Sequence, residues 1–209
     1  TATFAPPYPD GTIIRGNRVH DNAGSWGGGM AIGGDNLVVE NNVVYNNDGE
    51  VGGIWLADSN NGIIRNNLVY GNRGTWSPGS GGIHVHNSKN AQVSHNTVFG
   101  NNGAGVYLRD TQGVARNNIL SQNDTQLRLT GGATAERNLI DGNSETQGAN
   151  PVQGNPQFVN ASGADFHLQG SSPAVDAGVD AGVGNDIYGT KRAQGNGIDL
   201  GACELGAQS

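Results

Sequence analysis

The chain has 209 residues, of which 34% are hydrophobic and 36 are glycine, and its formal net charge is -7. That length supports one domain with a real core, and a modest charge with regularly recurring β-branched residues argues against disorder. No apolar run approaches the roughly 18 residues of a membrane span, nothing basic offers itself to nucleic acid, and Cys203 is the single cysteine, which excludes an internal disulfide and a thiolate metal cluster.

Residues 1–10 hold three prolines within four positions and no helix-capping pattern. They read as an irregular N-terminal arm, either a lid over the first repeat or the edge of a larger chain that continues upstream. From 11 to 149 the chain repeats itself. Six units are anchored on Asn17, Asn42, Asn67, Asn96, Asn118 and Asn138, spaced 25, 25, 29, 22 and 20 residues apart. A second asparagine follows each anchor by five positions, at Asn22, Asn47, Asn72, Asn101, Asn123 and Asn143. Fixed motifs with variable gaps imply a constant cross-section carrying loops of different length on one side.

Within each unit the residues alternate with the period of a strand. Ile14, Val39, Ile64, Val93, Ala115 and Ala135 stand three before the anchor, and Val19, Val44, Val69, Val98, Leu120 and Ile140 stand two after it. Apolar pairs follow the variable loop at Met30/Ile32, Ile54/Leu56, Ile83/Val85, Val106/Leu108 and Leu127/Leu129. Three short strands per coil, stacked coil on coil, bury these residues as ladders. An asparagine repeated at one corner can bond the backbone there and its own equivalents above and below. Asparagine also tolerates the left-handed backbone of tight corners. Outside, Arg15, Glu40, Arg65, Ser94, Arg116 and Glu136 form a stack in which opposite charges mostly adjoin.

On the NN-x-V-x-x-N and GG-I-x-V repeats, residues 10–145 resemble the right-handed parallel β-helix proteins, whose members include pectate lyases, alginate lyases and alginate epimerases. The resemblance and the general right-handed crossover rule supply the handedness. The expected fold is therefore all-β, a single-stranded right-handed parallel β-helix of about six coils with an irregular C-terminal cap.

The asparagine spacing fails beyond about 150. Residues 150–209 carry Asn155–Phe158, Asp165–Leu168, Ser172–Gly178, Asp186–Arg192 and Asp199–Glu204. Together these resemble the C-terminal module of many bacterial secreted β-helix proteins, with Cys203 where an aromatic is common. The resemblance implies a bacterial protein that is extracellular or held at the cell surface. Asp176, Asp186, Asp199, Glu204 and Arg192 read either as a carboxylate–arginine network holding the cap together or as a calcium or catalytic cluster.

Alternation also says what faces outward on the third strand of each coil. Trp55, His84, Tyr107 and Arg128 fall in one column, with His86 and Arg109 in a second. The longest loops lead into this face and bring Trp26, Asp48, Glu50, Arg73 and Trp76. An aromatic, His and Arg floor beside long walls makes a groove suited to sugars. A second outward strip, His20, Tyr45, Tyr70 and Phe99, is too apolar to stand bare and calls for a cover, first of all the C-terminal module or the N-terminal arm, with a glycan-binding strip or a dimer surface as the alternative.

Four functions fit this surface. The first is a polysaccharide lyase or C5-epimerase acting on an acidic, uronic-acid-containing glycan, with Arg109 or Arg128 neutralising the carboxylate while His84 and Tyr107 exchange protons and His86 assists. The others are a non-catalytic glycan-binding or adhesion module, a glycoside hydrolase drawing on Asp48, Glu50, Asp58 and Asp110, and a pure scaffold. Asp58 and Asp110, stacked with Asn87 at one corner, are the candidate ligands for calcium; they fall short of the three carboxylates of pectate-lyase calcium sites.

Overall fold

A computed structural model describes residues 9–76 and 80–206. Most of its strands sort into three parallel sheets, to which successive coils contribute one strand each until the last coil, which has none in the third; a short fourth parallel ladder pairs Asp48–Gly49 with Arg73–Gly74. The first sheet has six strands, Ile13–Arg15, Val38–Glu40, Ile63–Arg65, Lys89–Ser94, Gln112–Arg116 and Thr134–Glu136. The second has seven, beginning at Arg18–His20 and Val43–Tyr45 and ending at Leu139–Asp141 and Val152–Gln153. The third has five, Met30–Gly33, Ile54–Ala57, Ile83–His86, Ala104–Arg109 and Thr125–Leu129. The chain is thus a parallel β-helix whose coils follow the asparagine count.

The inward ladders are those the alternation dictates. In the second coil Val39, Val44, Ile54 and Leu56 are all 0% exposed, so one residue from each of the first two sheets and two from the third close the cross-section. Burying each such side chain contributes roughly 1.5–3 kcal/mol before entropy is set against it.

The anchor asparagines form an unbroken amide ladder. The Asn42 side-chain amide donates to Asn67 Oδ1 (3.0 Å) and to the Ile14 carbonyl (2.9 Å), while its backbone N–H donates to the same Oδ1 (3.0 Å). Asn67, Asn96 and Asn118 repeat this down to Asn138. Two features differ from the expectation. The left-handed backbone belongs to the residue before the anchor, with φ of 56° at Asn41, 54° at Asn66, 53° at His95 and 55° at Asn117. One residue makes the turn and the next, pointing inward, makes the ladder. The second ladder runs from Asn22 to Asn123 but does not end on Asn143. Asn123 donates to Gln126 Oε1 (2.8 Å), and the Asn143 side chain is exposed. The shortened fifth loop places a glutamine within reach from the same coil.

Glycines set how closely the loops stack. A Cβ on Gly53 would lie 2.2 Å from the Gly82 carbonyl oxygen, and one on Gly82 would lie 2.2 Å from that of Gly105. The paired glycines before the third strand therefore let successive coils enter that sheet at strand spacing.

Outward on the first sheet, Glu40 sits between Arg15 (3.5 Å) and Arg65 (2.7 Å), and Arg116 meets Glu136 (3.4 Å). At these exposures each pair is worth about 0–1 kcal/mol.

The C-terminal segment forms an antiparallel pair, Phe158–Asn160 with Asp165–Leu168, followed by irregular chain. It builds a second apolar core against the outer face of the second sheet, where Leu68, Ile119 and Leu139 meet Phe158, Phe166, Leu168, Leu200 and Cys203. Tyr70 and Phe99 of the aromatic strip pack on Phe166 at 5.0 and 5.4 Å, and His20 and Tyr45 continue the stack beyond it. Arg192 pins the cap: it donates to Glu204 (2.9 Å), to the carbonyls of Asp199 and Gly201, and to Asn66 Oδ1 on the helix (3.1 Å). The cap carboxylates are taken up by main-chain donors. Asp186 accepts from the N–H groups of Tyr188, Thr190 and Glu204, and Asp199 accepts from Asp176 and Leu205. They form the structural network, with arginine at its centre.

Candidate functional site

The third sheet holds its outward residues in strict register. Ala31, Trp55, His84, Tyr107 and Arg128 are paired strand to strand, and Gly33, Ala57, His86 and Arg109 run beside them. Because parallel strands sit about 4.8 Å apart, consecutive rings can touch. His84 lies against Tyr107 at 4.9 Å and 13°, and the Arg128 guanidinium covers the other side of Tyr107 at 5.0 Å. Trp26 of the first loop stacks on Trp55 at 6.2 Å and 8°. Trp76 of the third loop leans over His84 at 5.8 Å and carries Arg109 on its ring at 5.0 Å.

Those contacts separate the two histidines. His84 is 1% exposed, and neither ring nitrogen has a hydrogen-bond partner. Burial, with His86 and Arg109 nearby, holds its imidazole down to about 3, so the ring is neutral at physiological pH. His86 keeps a partly open side chain, with Nε2 3.9 Å from Asp110 Oδ2; the same carboxylate oxygen is 3.5 Å from Arg109 Nε.

Asp48 and Arg73 begin successive loops and pair at 3.7 Å. Glu50 is half-buried and meets the site through its carbonyl, which accepts the Trp76 N–H (3.1 Å). Asp58 and Asp110 occupy left-handed corners, φ 50° and 48°, with Asn87 between them at 48°, and Asn87 donates to Asp58 Oδ1 (2.6 Å). Corner geometry accounts for all three residue types. Among the described residues no three of His, Cys, Asp and Glu gather as metal ligands. Two carboxylates engaged by Asn87 and Arg109 do not amount to the six to eight oxygens of a calcium site, and we assign no ion to them.

Beyond Trp76 the loops shorten and open a cleft of about 320 Å³. Trp76 forms its wall, with Asn102, Gly103, Ala104 and Thr125 also lining it, and Asp124, Arg128 and Glu145 supply its charges. Arg128 Nε and Glu145 Oε2 pair at 3.0 Å, while Asp124 Oδ2 accepts the Gly103 N–H at 2.8 Å. Sequence reading reached Trp76 and Arg128 but missed Asp124 and Glu145. Asp124 was within reach of the same counting: it follows Asn123 as Asp48 follows Asn47, Arg73 follows Asn72 and Asn102 follows Asn101. Glu145 has no such equivalent.

The family described as right handed beta helix region matches residues 7–125 and again 53–166. The chain belongs to that family. The handedness of the helix is therefore right-handed, in line with the sequence resemblance. Among solved structures, a pectate lyase, Pel9A, is similar in fold, with a TM-score of 0.55 and 14% sequence identity. The match covers 92% of this chain and 65% of that enzyme, so this chain spans just under two thirds of its length. No curated protein matches the chain by sequence.

Proposed function

We propose that this β-helix protein is carbohydrate-active outside the cell and works on a uronic-acid polysaccharide lying along its third sheet, as a lyase or C5-epimerase. The adjacency of His86 and Arg109 carries this reading: neighbouring strands hold them in register, and Asp110 lies within 3.9 Å of the one and 3.5 Å of the other. A sugar C5 proton becomes removable when the carboxylate beside it is neutralised, and an arginine fork suits that carboxylate. Arg109 takes this part. His86, with Asp110 3.9 Å away, removes the proton. In a lyase the electron pair of the C5–H bond forms a C4=C5 double bond, the C4–O bond breaks, and Tyr107 gives a proton to the leaving oxygen. In an epimerase the C4–O bond stays intact and Tyr107 gives its proton to C5 from the opposite side. His84, shut away without partners, shapes the floor under Tyr107 and Trp76 instead of exchanging protons. Trp26, Trp55, Trp76, Arg73, Asp48 and Glu50 border the path of the glycan on either side of the reacting sugar.

The fold likeness to a pectate lyase supports a polysaccharide ligand in general terms. One observation favours a second reading, binding without turnover: Trp26 is 57% exposed above Trp55, a platform on which a sugar can stack. The two readings part in one experiment. The protein is incubated with polyuronates and neutral glycans while unsaturated-product absorbance, reducing ends and C5 configuration are followed. Turnover lost in His86→Ala and reduced at least about a hundredfold in Arg109→Ala supports the enzyme. Retardation in glycan gels without turnover, lost in Trp55→Ala, supports the binding module and overturns the enzyme.

A further inference from the structure

The cleft beyond Trp76 differs in charge from the site next to it. At His86 and Arg109 the surface offers one guanidinium, one imidazole and the single carboxylate of Asp110. In the cleft, two carboxylates, Asp124 and Glu145, face one guanidinium, Arg128, which is already matched by Glu145 at 3.0 Å. Asp124 is fixed by the Gly103 N–H, which leaves its other oxygen as an acceptor. A sugar carboxylate entering here would meet like charge, and among the described lining residues the one cation, Arg128, is paired with Glu145. Hydroxyl groups would meet acceptors, and the Trp76 wall offers an aromatic side. The volume, about 320 Å³, lies at the lower end of small-molecule pockets, which run from roughly 300 to 1,000 Å³. The two places are continuous, since Trp76 carries Arg109 on its ring and also lines the cleft.

We infer that the cleft is a subsite for an uncharged sugar, so that the glycan this protein takes alternates a uronic acid, at Arg109, with a neutral sugar, between Trp76 and Asp124–Glu145. This rests on the proposed uronate reading and names the polymer more narrowly. The specificity comes from repulsion as much as attraction: an all-uronate chain would place a carboxylate against Asp124 and Glu145.

The test uses the whole protein with two sets of polymers, polygalacturonate and alginate as all-uronate chains, and hyaluronan, unsulfated chondroitin and a rhamnogalacturonan backbone as alternating ones. Gel retardation and turnover are read for each. At least one alternating polymer is expected to be engaged about tenfold or more better than either all-uronate chain. Asp124→Asn and Glu145→Gln, which remove the repulsion while keeping shape, are expected to bring that ratio to within about twofold of one, with thermal melting confirming the fold. All-uronate chains engaged as well as or better than the alternating ones, or a ratio unchanged in both variants, would overturn the subsite and leave the uronate reading standing. Engagement of no uronate polymer, or of neutral glycans alone, would instead overturn the uronate reading, and this inference with it.

Discussion

His84 lies flat against Tyr107, ring centroids 4.9 Å apart, with Trp76 leaning over it and both of its ring nitrogens unpartnered. A buried polar group without a partner costs about 1–3 kcal/mol. His84→Phe keeps the stack and removes that cost, so it is expected to raise stability at pH 7 by about 1 kcal/mol, read from the chemical denaturation midpoint. A loss of stability would mean that the imidazole makes a bond the geometry does not reveal.

The same burial makes the fold acid-sensitive. His84 and His95 are both held down to about 3, chiefly by burial, with His86 and Arg109 adding to it at the first and Arg192 at the second. A histidine whose folded pKa lies below its unfolded value of 6.5 binds its proton more readily in the unfolded chain. Its contribution is therefore present above pH 6.5 and drains away as pH falls towards 3, by about 1.4 kcal/mol per pH unit for each histidine. Asp199 opposes them: burial pushes it up to about 6, so its contribution is present at low pH and is lost as pH rises through 6. Denaturation midpoints from pH 7 to 4 should fall, and His84→Phe should flatten that fall by about one proton. An equal slope in the variant would contradict the burial of His84.

The ladder distinguishes asparagines that look alike in sequence. Asn67→Ala removes its bonds to the Val39 carbonyl and to Asn96, and strips Asn42 of its acceptor. It should cost at least about 3 kcal/mol. Gln126→Ala should cost about 1–3 kcal/mol, because the Asn123 amide keeps the Val98 carbonyl but loses Gln126 Oε1, and the Asn123 carbonyl loses the Gln126 amide. Asn143→Ala should stay within about 0.5 kcal/mol. If Asn143 proved as costly as Gln126, the end of the second ladder would have to be redrawn.

Close approach, not backbone freedom, makes Gly82 irreplaceable. An added Cβ would lie 2.2 Å from the Gly105 carbonyl and 2.8 Å from Val98 Cγ1. Gly82→Ala should lower stability by about 3 kcal/mol, and it should weaken glycan engagement because the next two residues are Ile83 and His84. Gly170→Ala, with nothing within 4 Å, is the control and should be neutral.

Arg192 can be tested through the lone thiol it helps to enclose. Cys203 is 2% exposed, and burial pushes its thiol well above its usual range. Arg192→Met leaves Glu204 buried without its cation and should destabilise the cap by about 3–5 kcal/mol, seen as faster alkylation of Cys203. Adding Glu204→Gln should recover part of the loss. Unchanged alkylation in Arg192→Met would show that the apolar core alone holds the cap.

The sequence alone determined the cross-section and its register. Counting from Asn67 and its equivalents placed Val39, Val44, Ile54 and Leu56 inside and brought Trp55, His84, Tyr107 and Arg128 into one column, because period-two alternation and a repeated corner are local rules that each coil obeys independently. What no repeat encodes was decided by the tertiary structure. Whether His84 is open or shut depends on where a loop of a different length carries Trp76. Asp124 and Glu145 meet across a cleft only because the loops after the third coil are short. Gln126 replaces Asn143 for the same reason: a side chain's reach, and not its place in a motif, decides which amide completes the ladder.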